Sequence, residues 1–403
     1  MRSLQAVLDD VCTETGVPGV VAAVSRPGVS EFASAGVREL AGVQMSRDTI
    51  VRIASLTKPI VAAAAAILIE RGRLDAQDEV RTWLPELAEP RVLRTPDSEL
   101  DDTVPAVRPI TVDDLLTFQA GLGFPAEGGA HVVPLLLDRL AQGPPRPQAY
   151  PEPDEWMRRA AELPLVHQPG QGWTYHTGAD LLGVLLERLE GQSLTDVLID
   201  TLFGPLRMTD TSFSLPAEKL PRMSVLYERL PNGGEDGLQP VDEMRGQWFT
   251  PPPFRSGGGG LLSTVSDLHV FFRMLADGGY WEGRLVMGKA ARQRLLTARV
   301  PSSPGHPFLA GQSWSAGGAV DVAELESWNR LGRYGWVGGT GTAGYVHPDS
   351  GTVQVWLTQQ LLAGPNAAED PGTVALGRFL TATSPGSCVA PATVEGGLDD
   401  LPG

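Results

Sequence analysis

The most constraining stretch of this chain is the apolar run Ile60-Val61-Ala62-Ala63-Ala64-Ala65-Ala66-Ile67-Leu68-Ile69, with Pro59 before it and Gly72 just beyond. The run predicts a helix that starts near Ser55 and stops at Gly72. It falls far short of the ~20 apolar residues that a membrane-spanning helix requires. At its mouth stands Arg52-Ile53-Ala54-Ser55-Leu56-Thr57-Lys58. A Ser and a Lys three apart share one helix face, so hydroxyl and amine can touch. The free amides and positive end of the helix lie beside them and suit an anion forming there.

A serine hydroxyl becomes a nucleophile only when a base takes its proton. Lysine serves as that base when burial or positive potential lowers its pKa, and a helix N-terminus walled by alanines supplies both. Lysine is also scarce. Only Lys58, Lys219 and Lys289 occur, and Lys58 alone has a serine three residues before it.

With 403 residues, 42% of them hydrophobic and 20% charged, the chain reads as one large or two intimate globular domains. The net charge of −16 excludes nucleic acid and anionic membrane as expected partners. Cys12 and Cys388 stand near opposite ends, with neither metal-ligand nor disulfide-framework spacing. The six histidines do not cluster with acids at metal spacing, so neither metal nor cofactor is expected. The first ten residues lack an apolar signal core and carry Asp9 and Asp10, from which a cytoplasmic, unprocessed protein is expected.

Residues 3–15 show a helical apolar stripe (Leu4, Val7, Leu8, Val11) ended by Gly16. Val20–Ser25 and Val29–Ala35 read as a hairpin about Arg26-Pro27-Gly28. From about residue 74 to 250, helical segments alternate with Pro-rich connections, and the strongest helix is Ala179–Leu189. The run Ser256-Gly257-Gly258-Gly259-Gly260 lacks the Gly-Lys-Ser/Thr ending of a phosphate loop and reads as backbone packed close to a site or sheet. Tyr334–Trp336, Gly344–His347 and Thr352–Gln359 read as antiparallel strands, with a closing helix over Val374–Leu380. The expected organisation is a discontinuous α/β domain (1–73 and 251–383), an inserted helical domain (74–250) and a flexible tail (384–403).

Two further segments accompany Arg52–Lys58: Pro169-Gly170-Gln171-Gly172-Trp173-Thr174-Tyr175-His176-Thr177-Gly178-Ala179-Asp180-Leu181-Leu182-Gly183, and Gly335-Trp336-Val337-Gly338-Gly339-Thr340-Gly341-Thr342. In this order, and with Leu115–Leu122, they resemble the serine β-lactamase and penicillin-binding-protein superfamily over nearly the whole chain. The likeness is closest to class C β-lactamases and family VIII carboxylesterases. It implies an α+β fold, an antiparallel sheet flanked by helices with an inserted, mainly helical domain. It also implies Ser55 as the acylated nucleophile, Lys58 as holder or relay of its proton, and Tyr175, matching the tyrosine of that family's Tyr-x-Asn motif, as phenolic base. An adjacent ammonium would favour the phenolate of a group that ordinarily titrates near pH ~10. The amides of Ser55 and Gly339 would form the oxyanion hole, in which one donor is worth ~2.7–4 kcal/mol.

The departures shape the substrate expectation. Thr177 stands where many relatives have Asn, and Trp336-Val337-Gly338 where β-lactamases and peptidases have Lys-Thr-Gly. Family VIII esterases often have Trp-Gly-Gly there. Without that lysine a lactam carboxylate loses its partner. The expected activity is therefore hydrolysis of small neutral carboxylic esters, with Trp336, Gly338, Thr177 and His176 bordering the substrate. The alternatives are a β-lactamase, an amide hydrolase or D-aminopeptidase, an acyltransferase, and a non-catalytic ligand-binding relative. An α/β-hydrolase elbow is only approached, at Gly311-Gln312-Ser313-Trp314-Ser315. Phe124, Trp156, Trp248 and Phe249 are candidate pocket aromatics.

Overall fold

The structure, a computed structural model, describes residues 2–143, 146–230, 237–301, 306–364 and 367–385. Helix α1 (Leu4–Thr15) starts at Ser3, whose hydroxyl accepts from the Ala6 amide, and ends at Gly16 with φ 68°. Strands β1 (Gly19–Arg26) and β2 (Val29–Glu39) form the expected hairpin, with Arg26 opposite Val29 and Gly28 at φ 80° in the turn. After β3 (Val43–Gln44), the apolar run forms α2 (Thr57–Glu70), buried from Thr57 to Leu68. Pro59 is tolerated there because the first turn has no intrahelical use for its missing N–H.

The central sheet is completed from the far end of the chain by β4 (Gln312–Trp314), β5 (Ala319–Asp321), β6 (Tyr334–Gly338), β7 (Thr342–His347) and β8 (Thr352–Thr358). Its order is β4-β5-β6-β7-β8-β1-β2-β3, and every pairing is antiparallel. The side-chain alternation of β1 explains the layers. Val20, Ala22 and Val24 pack on one face with α1 and α5 (Pro371–Thr383), around Trp356 and Phe379. Val21 and Ala23 face α2 and α4 (Val265–Ala276) on the other. The fold is thus α+β, an antiparallel sheet with helices on both faces, as expected.

Residues 74–250 hold α3 (Thr177–Glu190), which begins two residues earlier than the pattern predicts, together with short helices. They also hold antiparallel strand pairs that the sequence does not announce, such as Phe124–Pro125 with Thr174–Tyr175. Their apolar side chains join the same core cluster as α2 and the sheet. Most of the expected tail, 386–403, lies outside the described residues, as do Pro144 and Pro145. Ser384 is buried, and its hydroxyl donates to Leu380 O. No helix among the described residues is long and apolar enough to cross a membrane.

Candidate active site

Ser55 sits in a tight 3-10 turn, Ala54–Leu56, between the short strand Val51–Arg52 and the N-terminus of α2. Ala54 has φ 42°, a left-handed conformation that is costly for a residue with a Cβ. Hydroxyls hold the turn in place. Thr340 donates to Arg52 O at 2.5 Å, Thr342 to Ile53 O at 3.0 Å and Thr57 to Ala54 O at 2.7 Å. The buried Arg52 guanidinium is bonded to Asp242, with Nε–Oδ2 at 2.7 Å, and to Ser224 O at 2.8 Å.

Lys58 is buried one turn further on. Its Nζ lies 2.9 Å from Ser55 Oγ, 3.2 Å from His176 Nδ1 and 2.5 Å from Gly258 O. It also sits 4.6 Å from the Tyr175 ring centroid. Burial pulls its pKa down to about 7, against the smaller opposing pull of Asp180. Tyr175 is packed against Phe118, Trp173, Phe308 and Trp336. Burial pushes its phenol up to about 12, and hydrogen bonds with Ser55 and Trp336 oppose that rise. These surroundings disfavour the expected phenolate of Tyr175 and favour the neutral amine of Lys58.

His176 joins Tyr175 to α3 with φ 80° and ψ −64°, a strained conformation for a residue with a side chain. Its Nε2 is 3.3 Å from the fully buried Asp180, one helical turn on. Asp180 accepts from Ser256 Oγ at 2.6 Å, the Gly258 amide at 2.9 Å and Gln142 Nε2 at 2.9 Å. The glycine run owes its composition to this crowding. A Cβ on Gly258 would press on His176 and Asp180, and one on Gly257 would strike Ala179 O.

Above these groups lies a cleft of about 340 Å³ lined by Ser55, Tyr175, His176, Phe124, Trp248 and Gly339, with Arg146, Tyr150, Leu361 and Leu362 among the rest. Not every expected substrate contact faces it. Thr177 is fully buried, and its hydroxyl donates to Gln142 Oε1 at 2.8 Å. Trp336 is 3% exposed, and its Nε1 donates to Tyr175 Oη at 2.7 Å, so it holds the phenol rather than walling the cleft. Gly338 lets β6 lie against the nucleophile turn, since a Cβ there would strike Ile53 O and Thr342 Oγ1. His176 and Gly339 do reach the cleft. Of the candidate aromatics, Phe124 and Trp248 line it, Trp156 is buried on Phe254, and Phe249 lies under Arg245. Ser313 is buried and donates to Val300 O at 2.7 Å, which removes it as a nucleophile.

The site residues that sequence reasoning passes over are Asp180, Gln142, Ser256 and the Gly258 carbonyl. Asp180 carries a usable signal, four residues after His176 on a helix. A backbone carbonyl carries none.

The family model described as Beta-lactamase matches residues 4–378. The chain belongs to this family. Protein Rv1367c of Mycobacterium tuberculosis is 35% identical over 395 residues, covering 94% of this chain and 95% of that protein. Esterase EstB of Burkholderia gladioli is 35% identical over 279 residues, 66% of this chain and 67% of the esterase. Among solved structures, EstCE1, a hydrolase with promiscuous acyltransferase activity, superposes with a TM-score of 0.74 at 22% identity, covering 93% of this chain and 97% of that one. At that identity the match speaks for the fold. Membership of the Beta-lactamase family makes this chain a serine hydrolase or acyltransferase by kind.

Proposed function

We propose that the protein hydrolyses small, uncharged carboxylic esters through an acyl-enzyme on Ser55. The observation that carries this reading is Ser55, which lines an open, largely apolar cleft and whose Oγ lies 2.9 Å from a buried amine. Lys58, with a pKa near neutrality, takes the Ser55 proton as oxygen attacks the ester carbonyl. The amides of Ser55 and Gly339, both at the cleft, stabilise the oxyanion. Tyr175, a neutral phenol bonded to Ser55, donates to the departing alkoxide and regains its proton from Lys58. Water then enters and the same groups reverse their parts to release the acid.

Three features support esters over lactams. The esterase EstB is a relative over two thirds of the chain. In sequence Trp336 replaces the lysine of lysine-bearing relatives, and its indole is turned to Tyr175, so that position offers a substrate carboxylate no cation. Among the described lining residues the cationic side chain is Arg146, which is exposed, and a carboxylate buried without a cation is costly. The test is kcat/KM for p-nitrophenyl butyrate against nitrocefin on the unaltered protein. We expect the ester to be favoured by orders of magnitude. Equal efficiency on the two would overturn the assignment.

A further inference from the structure

If Ser55 is the nucleophile of a serine hydrolase, as proposed above, Lys58 must aim a lone pair at its hydroxyl. A neutral amine has two N–H bonds and one lone pair. Lys58 Nζ has three polar neighbours at hydrogen-bonding distance, and one of them, Gly258 O at 2.5 Å, can only accept. If His176 Nδ1 at 3.2 Å also accepts, both N–H bonds are occupied. The lone pair is then left facing the Ser55 hydroxyl at 2.9 Å. If Nδ1 carries a hydrogen instead, that hydrogen claims the lone pair and Ser55 has no base.

The other side of the ring decides between these cases. His176 Nε2 is buried and lies 3.3 Å from Asp180 Oδ2, a contact too poorly aligned to rank as a full hydrogen bond. Asp180 is a fully buried carboxylate that already accepts from Ser256, Gly258 and Gln142, and it has no hydrogen to offer. The Gln142 amide turns its NH2 to Asp180 because an ionised carboxylate can only accept there, and its oxygen then accepts from the Thr177 hydroxyl at 2.8 Å. Facing only an acceptor, Nε2 takes the ring hydrogen and Nδ1 keeps its lone pair.

We propose that His176 and Asp180 are positioning residues that fix the hydrogen inventory of Lys58 and direct its lone pair onto Ser55. In the step they support, the Ser55 O–H bond breaks, an N–H bond forms on Lys58 Nζ, the oxygen bonds to the ester carbon, and the carbonyl π bond breaks with its electron pair moving onto the carbonyl oxygen. The three hydrogens of the resulting ammonium meet three acceptors: Gly258 O, His176 Nδ1 and the Ser55 oxygen. Thr177, expected at the substrate, acts in this account two contacts further back through Gln142.

The chain's three lysines allow a test that needs no substrate. The 13Cε signals of labelled lysine, assigned with Lys58→Arg, report the Lys58 titration against pH. The groups facing it are Ser55, Tyr175, His176 and Asp180. Asp180→Asn removes the negative charge that raises the Lys58 pKa, so its midpoint should move down. The new amide can donate to Nε2 and drive the ring hydrogen to Nδ1. His176→Gly places a glycine at φ 80°, which relieves strain, and admits water, so the midpoint should move up toward the ordinary lysine value. Both variants should lose about 10²-fold in kcat with KM little changed. Added imidazole should restore part of the His176→Gly loss. Should Asp180→Asn fail to fold, His176→Gly decides alone. Unmoved lysine midpoints with kcat within about twofold would overturn the proposal. A missing Ser55 adduct in the unaltered protein would instead sink the hydrolase reading, and the lysine titration would still judge the positioning claim.

Discussion

Trp336→Phe removes one N–H and leaves most of the ring. The indole Nε1 donates to Tyr175 Oη at 2.7 Å and packs edge-on against Trp314, centroids 4.8 Å apart. A neutral hydrogen bond is worth a net ~0.5–1.5 kcal/mol, and leaving a buried partner unsatisfied costs ~1–3 kcal/mol. A loss of about 1.4 kcal/mol corresponds to a tenfold drop in rate. It should fall on kcat rather than KM, because the Tyr175 oxygen gains negative charge only as its proton leaves. Leaving-group chemistry sharpens the assay. A p-nitrophenolate departs without a proton, whereas an alkoxide needs one, so an alkyl butyrate should lose more than p-nitrophenyl butyrate. The decisive comparison is a double-mutant cycle with Tyr175→Phe. If Trp336 acts through the phenol, Trp336→Phe costs about tenfold in the native background and almost nothing in Tyr175→Phe. An equal cost in both backgrounds, or an equal loss on both esters, would refute this and leave Trp336 as packing.

The pH profile of kcat/KM should fall as pH drops through about 7, because protonating Lys58 removes the base. It should stay level well into the alkaline range, since Tyr175 holds its proton to about 12. An acid limb in the carboxylate range would name another base. Gly338→Ala drives a Cβ into Ile53 O and Thr342 Oγ1, so it should destabilise by about 1–3 kcal/mol and displace the nucleophile turn. An unchanged urea midpoint would show that the turn and β6 can part. Asp242→Ala strands the buried Arg52 and should cost about 3–5 kcal/mol in the same experiment. A normal midpoint would place that ion pair outside the stability of the fold.

The sequence declared the nucleophile more clearly than its surroundings. Ser55 and Lys58 are local, three apart at a helix start, so spacing alone brings them together. Tyr175 is visible only through family likeness, because the contact joins segments more than a hundred residues apart. Thr177 and Trp336 stand out as departures, yet their directions depend on tertiary contacts. Helix α3 begins at Thr177 and turns that side chain toward Gln142, and the indole of Trp336 meets Tyr175. Strands β4 and β5, three residues each, are too short to show alternation in the sequence. The hairpin of β1 and β2 was legible because two short apolar runs and the Pro-Gly turn between them act locally, whereas the fold as a whole was legible through the family likeness of three motifs.

Trapping the acyl-enzyme tests the central claim most directly. The protein is treated with a fluorophosphonate, or mixed with a slowly released ester and quenched, then digested and mapped by mass spectrometry. The account predicts one adduct, on Ser55, absent in a folded Ser55→Ala variant that no longer turns over ester. An adduct on Ser313 or elsewhere, or undiminished turnover by Ser55→Ala, would contradict it.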